Sequence, residues 1–168
     1  FGGIVAISGP IDAALAATIA KEQRFVEVIV ATEFHADAVA CLSERWKNIR
    51  LVATPEITAG GSSSIEVRTI PGGLLTQTPD LKIARPSDWT HAAGPAPTPE
   101  TLANAQLAWV TVKHAASNAI TIAGDHRLLG LGGGQVDRLT AARLAVTKAG
   151  DSINGCPDTA AASDAFFP

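Results

Sequence analysis

Residues 1–53 impose the strongest constraint on what this chain can fold into. Three short apolar runs alternate there with two segments of helical periodicity. Gly2 to Ile7, Val26 to Ala31 and Ile49 to Ala53 are short and rich in β-branched residues, which predicts strands. Asp12 to Gln23 predicts a helix with Ala14, Leu15, Thr18 and Ile19 on one face and Asp12 favourable in the first turn. Ala36 to Trp46 predicts a second, with Val39, Leu42 and Trp46 on one stripe. Continuous apolar strands separated by helices predict an α/β fold: a parallel sheet, right-handed crossovers and helices on both faces.

The remainder is less regular. After the loop Gly60-Gly61-Ser62-Ser63-Ser64, Ile65 to Ile70 alternates as a half-exposed strand does. Pro71-Gly72-Gly73 turns the chain and Leu74 to Gln77 extends again. Residues 78–99 are proline-rich and read as a connecting stretch. Thr98-Pro99-Glu100 starts a helix to about Ala115, with Leu102, Gln106, Trp109 and Val112 or Lys113 along one side. Asn118 to Ala123 reads as a strand, Gly124-Asp125-His126 as a turn into Leu128 to Leu131, and Asp137 to Ala149 as a helix. Gly150 to Ala162 reads as irregular or a short helix.

Composition narrows the function. The 168 residues carry a net charge of −3, are 46% hydrophobic and 17% charged, and the pI is near 5.8. No clustered Lys and Arg excess suits a nucleic acid or an anionic membrane. No apolar run approaches the ~20 residues that span a bilayer. Cys41 and Cys156, far apart in sequence, allow one disulfide, and free cytosolic thiols are the favoured reading. His35, His91, His114 and His126 are scattered, no Cys-x-x-Cys or His-x-Glu occurs, and no metal site is expected. The chain lacks Met, starts at Phe1 and runs at once into Ile4-Val5-Ala6-Ile7, and it ends at Phe166-Phe167-Pro168; both ends read as cuts through a longer chain.

Four features bear on chemistry; the first is Asn118, which opens a strand right after a helix, where its amide could bind a carbonyl or serve turn chemistry alone. Gly130-Leu131-Gly132-Gly133-Gly134 lies between a strand and a helix, where freed amides suit an anion. Close packing around a tight turn is the other reading, and spacing alone favours it. Arg138 sits in the first turn of the following helix, where a cation needs an anion; a substrate phosphate and the adjacent Asp137 are both candidates. Lys113-His114 could serve as an acid-base pair, but cations at a helix C-terminus are already favourable.

Six segments, in order, resemble AICAR transformylase, the formyl-transferring part of a bifunctional purine-biosynthesis family. They are Phe1-Gly2-Gly3-Ile4-Val5-Ala6, Glu27-Val28-Ile29-Val30-Ala31, Gly72-Gly73-Leu74-Leu75, Ser117-Asn118-Ala119-Ile120, Gly132-Gly133-Gly134-Gln135-Val136-Asp137-Arg138 and Ser163-Asp164-Ala165-Phe166-Phe167-Pro168. The last is the most diagnostic. The resemblance implies that residues 1–168 form a partial transformylase domain with a three-layer α/β/α, cytidine deaminase-like lobe that lacks zinc. It implies formyl transfer from 10-formyltetrahydrofolate, a folate co-substrate, to AICAR ribotide, in a cytoplasmic homodimer that is also an IMP cyclohydrolase.

The same resemblance implies roles. Asn118 matches a catalytic amide that holds the formyl oxygen or the attacking amine. Arg138 matches an arginine contacting the ribotide. Phe1 and Gly2 line its base, Glu27 accepts from its carboxamide, Phe166 contacts the base, and Pro168 falls near the folate pocket. The family's Lys-His pair belongs to a segment before Phe1, and Lys113-His114 is not its counterpart. Ala116 stands where bacterial relatives commonly have Lys, and Asp137 where they have Ser; Asp137 could pair with Arg138 and weaken its hold on phosphate. These departures keep a second expectation open, a non-catalytic nucleotide-binding or structural module that retains the fold.

Overall fold

The computed structural model describes residues 1–21, 24–54 and 65–166, and these fall into two compact units, Phe1–Leu81 and Lys82–Pro168. The first unit runs β1 (Gly3–Ala6), β2 (Pro10–Ile11), α1 (Ala13–Ala20), β3 (Val26–Ala31), β4 (Glu33–Phe34), α2 (Ala36–Arg45), β5 (Arg50–Ala53), β6 (Glu66–Ile70) and β7 (Gly73–Gln77). Strands β1, β3 and β5 form a parallel sheet in that order, and β2 pairs with β4 in a short parallel ladder. Asp12 caps α1 by accepting from the Leu15 N–H at 2.8 Å.

Both helices of this unit serve one core. α1 and α2 pack on each other, and Ala16, Ala38, Leu42 and Trp46 join Ile29 of the central strand in a single buried cluster. Burying Ile29 and Leu42 contributes about 1.5–3 kcal/mol each. Taken by itself, this unit corrects the expected cover on both faces: its described helices line one face of the sheet. The strand order supplies the reason, because successive crossovers of one hand that advance in one direction place their helices on the same side. Ile4 and Val52, which lie in register with Val28 and Val30, are 76% and 43% exposed. Two helical stripes also shift. Ala16, rather than Ala14 or Thr18, is the buried residue of α1, and Val39 of α2 is exposed.

The predicted extended pair at 65–77 is an antiparallel hairpin closed at Ile70 and Gly73. Gly72 has φ +79°, as the third position of a type II turn requires after Pro71. All residues of β6 and β7 are exposed. The loop from Gly60 to Ser64 lies outside the described residues, as does Gln23.

The second unit opens with a 3-10 turn at Pro86–Asp88. It continues through α3 (Pro99–Lys113), β8 (Ile120–Gly124), β9 (Arg127–Gly132), α4 (Arg138–Ala149), a 3-10 turn at Gly150–Ile153 and β10 (Ala160–Ser163). Its antiparallel sheet has the order β10-β8-β9. Every residue of β8 is buried, and its two faces feed two cores. Ala119 and Ala123 pack with Ala108 and Val112 of α3; Ile120 and Ile122 pack with Ala141, Ala145 and Ala149 of α4. This unit thus has three layers, helix, sheet and helix.

Candidate functional site

The glycine stretch from Gly130 to Gly134, which ends β9 and leads into α4, determines where the polar groups sit. A Cβ on Gly130 would lie 2.0 Å from the Ala145 carbonyl oxygen, and one on Gly132 would lie 2.1 Å from that of Ala141. Glycine is needed there so that β9 and α4 can touch backbone to backbone. Gly134 has φ +65°, a left-handed turn, and donates its N–H to Ala116 at 2.6 Å. Close packing and a tight turn therefore account for these glycines, in place of an anion cradle.

That turn brings Gln135 beside Asn118. The Asn118 N–H donates to the Gln135 carbonyl at 3.1 Å, and the Gln135 N–H donates back at 3.3 Å. The Asn118 side chain donates through Nδ2 to the same carbonyl at 3.0 Å. Because the partner is a carbonyl oxygen, only the NH2 end of the amide can face it. The Gln135 side chain folds back to Gly133 at 2.8 Å. The peptide bond between Ser117 and Asn118 is cis.

Arg138 finds its anion in Asp164. Its Nη1 donates to Asp164 Oδ1 and, at 3.2 Å, to the Ala119 carbonyl. The two side chains are only 11% and 15% exposed. Asp137 does not pair with Arg138, which corrects the expectation of a local ion pair. It caps α4 instead, accepting from the Thr140 N–H and hydroxyl at 2.7 Å each. Those bonds hold its carboxyl below the usual range.

Asp164 gathers more than one partner. Its Oδ1 also accepts the Ala119 N–H at 2.8 Å, its Oδ2 accepts the Ser117 hydroxyl, and its own N–H donates to Ala119 at 3.2 Å. Burial alone would raise its pKa; the bonds from Ser117, Ala119 and Arg138 outweigh burial and hold it at about 2. Sequence reading placed Ser117, Gln135 and Asp164 inside resembling segments without assigning them work. Nothing in single-residue patterning joins positions this far apart.

In the first unit, Glu27 accepts the Gly2 N–H at 3.0 Å and pairs with Arg50 at 3.2 Å. The Gly2 bond, then the Arg50 charge, hold its pKa below the usual value against a partial desolvation. A Cβ on Gly2 would meet the Phe25 ring at 2.6 Å and Glu27 at 2.8 Å, so glycine is what lets this edge close. Phe1 is wholly exposed and Phe166, in the second unit, is 82% exposed. Arg50 is a participant that patterning missed. Pro168 lies outside the described residues.

Lys113 ends α3 and donates to the Lys82 carbonyl at 2.7 Å, and His114 caps the helix, so both have structural places. Among the described residues no group of three or more His, Cys, Asp or Glu is placed to hold a metal ion. Among them, too, no helix is long and apolar enough to cross a membrane. Cys41 and Cys156 are free.

These features define an α/β protein whose candidate groups are amide, guanidinium and carboxylate. A family model described as "AICARFT/IMPCHase bienzyme" matches residues 1–148, and the chain belongs to that family. It is similar, along its whole length, to proteins named "Bifunctional purine biosynthesis protein PurH". The protein from Ligilactobacillus salivarius (strain UCC118) is 40% identical over 168 residues. That from Oceanobacillus iheyensis is 39% identical over 168 residues, and that from Streptococcus pyogenes serotype M2 is 36% identical over 169 residues. The chain covers 32% of each of these relatives.

Proposed function

We propose that this chain is part of a formyltransferase domain that moves a formyl group from 10-formyltetrahydrofolate to the 5-amino group of AICAR ribotide, within a bifunctional purine-biosynthesis enzyme. The observation that carries this reading is the anchored amide of Asn118. One of its N–H groups is committed to Gln135, which aims the rest of the amide and leaves the second N–H for a ligand. In formyl transfer the amine attacks the formyl carbon, a C–N bond forms, and negative charge develops on the formyl oxygen. A preoriented N–H suits that oxygen, because it needs no reorganisation as the charge appears. The bond to the folate nitrogen then breaks, and the proton given up by the amine passes through a base to that leaving nitrogen.

The other roles follow the same reading. Glu27, held by Gly2 and Arg50, keeps lone pairs that can accept from a carboxamide. Phe1 and Gly2 would line the base and Phe166 would contact it. Arg138 would meet the ribotide through Nε or Nη2, since its bonds to Asp164 and Ala119 both leave from Nη1. Pro168 would border the folate. The three layers of the second unit support a cytidine deaminase-like lobe within a partial domain of residues 1–168, connected through 78–99. Exposed Val67, Leu74 and Leu75 on the hairpin support a homodimer. The reading places the enzyme in the cytoplasm, without a metal, a nucleic-acid partner or a membrane.

The test is tetrahydrofolate release by the full protein given both substrates. Asn118→Ala should lower kcat roughly 10²- to 10³-fold, the usual loss for an oxyanion donor. Wild-type turnover by this variant would refute the role of Asn118. A folded full protein that binds the ribotide and transfers nothing would favour the non-catalytic module.

A further inference from the structure

We infer that Asp164 is a positioning residue for the formyl-transfer centre, fixing Asn118 through the residues on either side of it; the inference rests on the role proposed for Asn118. The geometry is a clamp. Asn118 itself faces Gln135, through its N–H, its carbonyl and its side-chain amide. Its two neighbours face Asp164. Ser117 donates its hydroxyl to Oδ2, and Ala119 donates its N–H to Oδ1 at 2.8 Å and accepts the Asp164 N–H at 3.2 Å. Asn118 is thus held from both sides, by the glycine turn on one and by Asp164 on the other.

A carboxylate is the group this position needs. A hydroxyl, a main-chain N–H and a guanidinium all donate to it, and an ionised carboxyl accepts at both oxygens without offering a hydrogen to any of them. The same guanidinium of Arg138 reaches past the carboxylate to the Ala119 carbonyl at 3.2 Å. The charge on Asp164 therefore orients Arg138, and Arg138 braces the start of β8. Asp164 also directly follows β10, two residues before Phe166, so one side chain links three proposed contributors: the amide, the guanidinium and the aromatic segment. Charge-assisted bonds of this kind are the strong ones, and small displacements of a catalytic group cost rate far more than they cost folding.

Asp164→Asn tests this in the full protein. The amide can still accept from Ala119 and Arg138 through its oxygen, and the Ser117 hydroxyl can rotate to accept from its NH2, so folding should survive while charge and aim are lost. The expected result is a kcat roughly 10- to 100-fold lower, with KM for AICAR ribotide raised by a smaller factor than kcat falls, and a cooperative unfolding transition whose midpoint at neutral pH drops with the lost charge. Ser117→Ala should lower kcat by a smaller factor, and the double variant should be no slower than Asp164→Asn alone, because both act through one clamp. If Asp164→Asn fails to fold, Ser117→Ala decides: reduced kcat in a folded protein supports the inference, and wild-type kcat overturns it. A loss confined to KM overturns it as well. Asn118→Ala separates the two claims. If that variant is slow while both Asp164→Asn and Ser117→Ala turn over at the wild-type rate, Asn118 keeps its role and Asp164 loses the one inferred here.

Discussion

At the scale of single residues, the Asp164 carboxylate makes an acid-sensitive joint. Its pKa falls from the ordinary 3.8 to about 2 on folding, so the unfolded chain binds the proton more readily. Its contribution to stability is complete above about pH 4 and is lost as pH falls through about 2. Urea unfolding at pH 5, 3 and 2 should show the wild type losing stability faster than Asp164→Asn over that range. Equal slopes would mean that the carboxylate is not differently bound in the folded state. The glycines make a second residue-scale prediction. Gly132→Ala sets a methyl 2.1 Å from the Ala141 carbonyl oxygen and should destabilise by about 1–3 kcal/mol, the cost of overpacking. Gly133→Ala meets its nearest neighbour at 3.5 Å and should be close to neutral in the same denaturation experiment.

At the scale of elements, α3 is pinned by a buried amide. Asn104, 2% exposed, donates to the Asp158 carbonyl and accepts the His126 N–H, both at 3.0 Å. Asn104→Leu removes both bonds, leaves the Asp158 carbonyl and the His126 N–H unsatisfied, and should cost about 2–3 kcal/mol; an unchanged urea midpoint would contradict it. This residue also marks where patterning lost the trail. The sequence places Leu102, Gln106, Trp109 and Val112 or Lys113 along one side of α3; Val112 of that stripe is buried, but beside it lie Asn104 and Ala108, because a polar residue with two main-chain partners can outrank a leucine for the interior. β3 was legible to the residue, since its six positions match the predicted run from Val26 to Ala31. β10 was not: Ala160 to Ser163 has no β-branched residue to signal a strand, and pairing with β8 decides it. Of the candidate site, resemblance singled out Asn118 and Arg138 as proposed contributors. Asp164, Gln135 and Arg50 acquire meaning only from contacts across many residues of chain.

At the scale of the whole molecule, each unit has buried clusters of its own, and the boundary at Leu81 and Lys82 falls within the proline-rich stretch 78–99. Brief digestion with a non-specific protease should cut first inside that stretch, giving two fragments that mass spectrometry assigns to either side of it. First cuts within β8 or α4 would contradict an independent core in the second unit. The strand order of that unit has a consequence for how the protein is made. β8 is flanked on one side by β9, which the ribosome delivers next, and on the other by β10, which emerges only after α4 is complete. Arg138 likewise leaves the exit tunnel well ahead of Asp164, the anion that receives it. During synthesis the nascent chain therefore passes through an interval with a bare strand edge and an unmatched cation, and a pause of translation in that interval would prolong its exposure to chaperones and proteases.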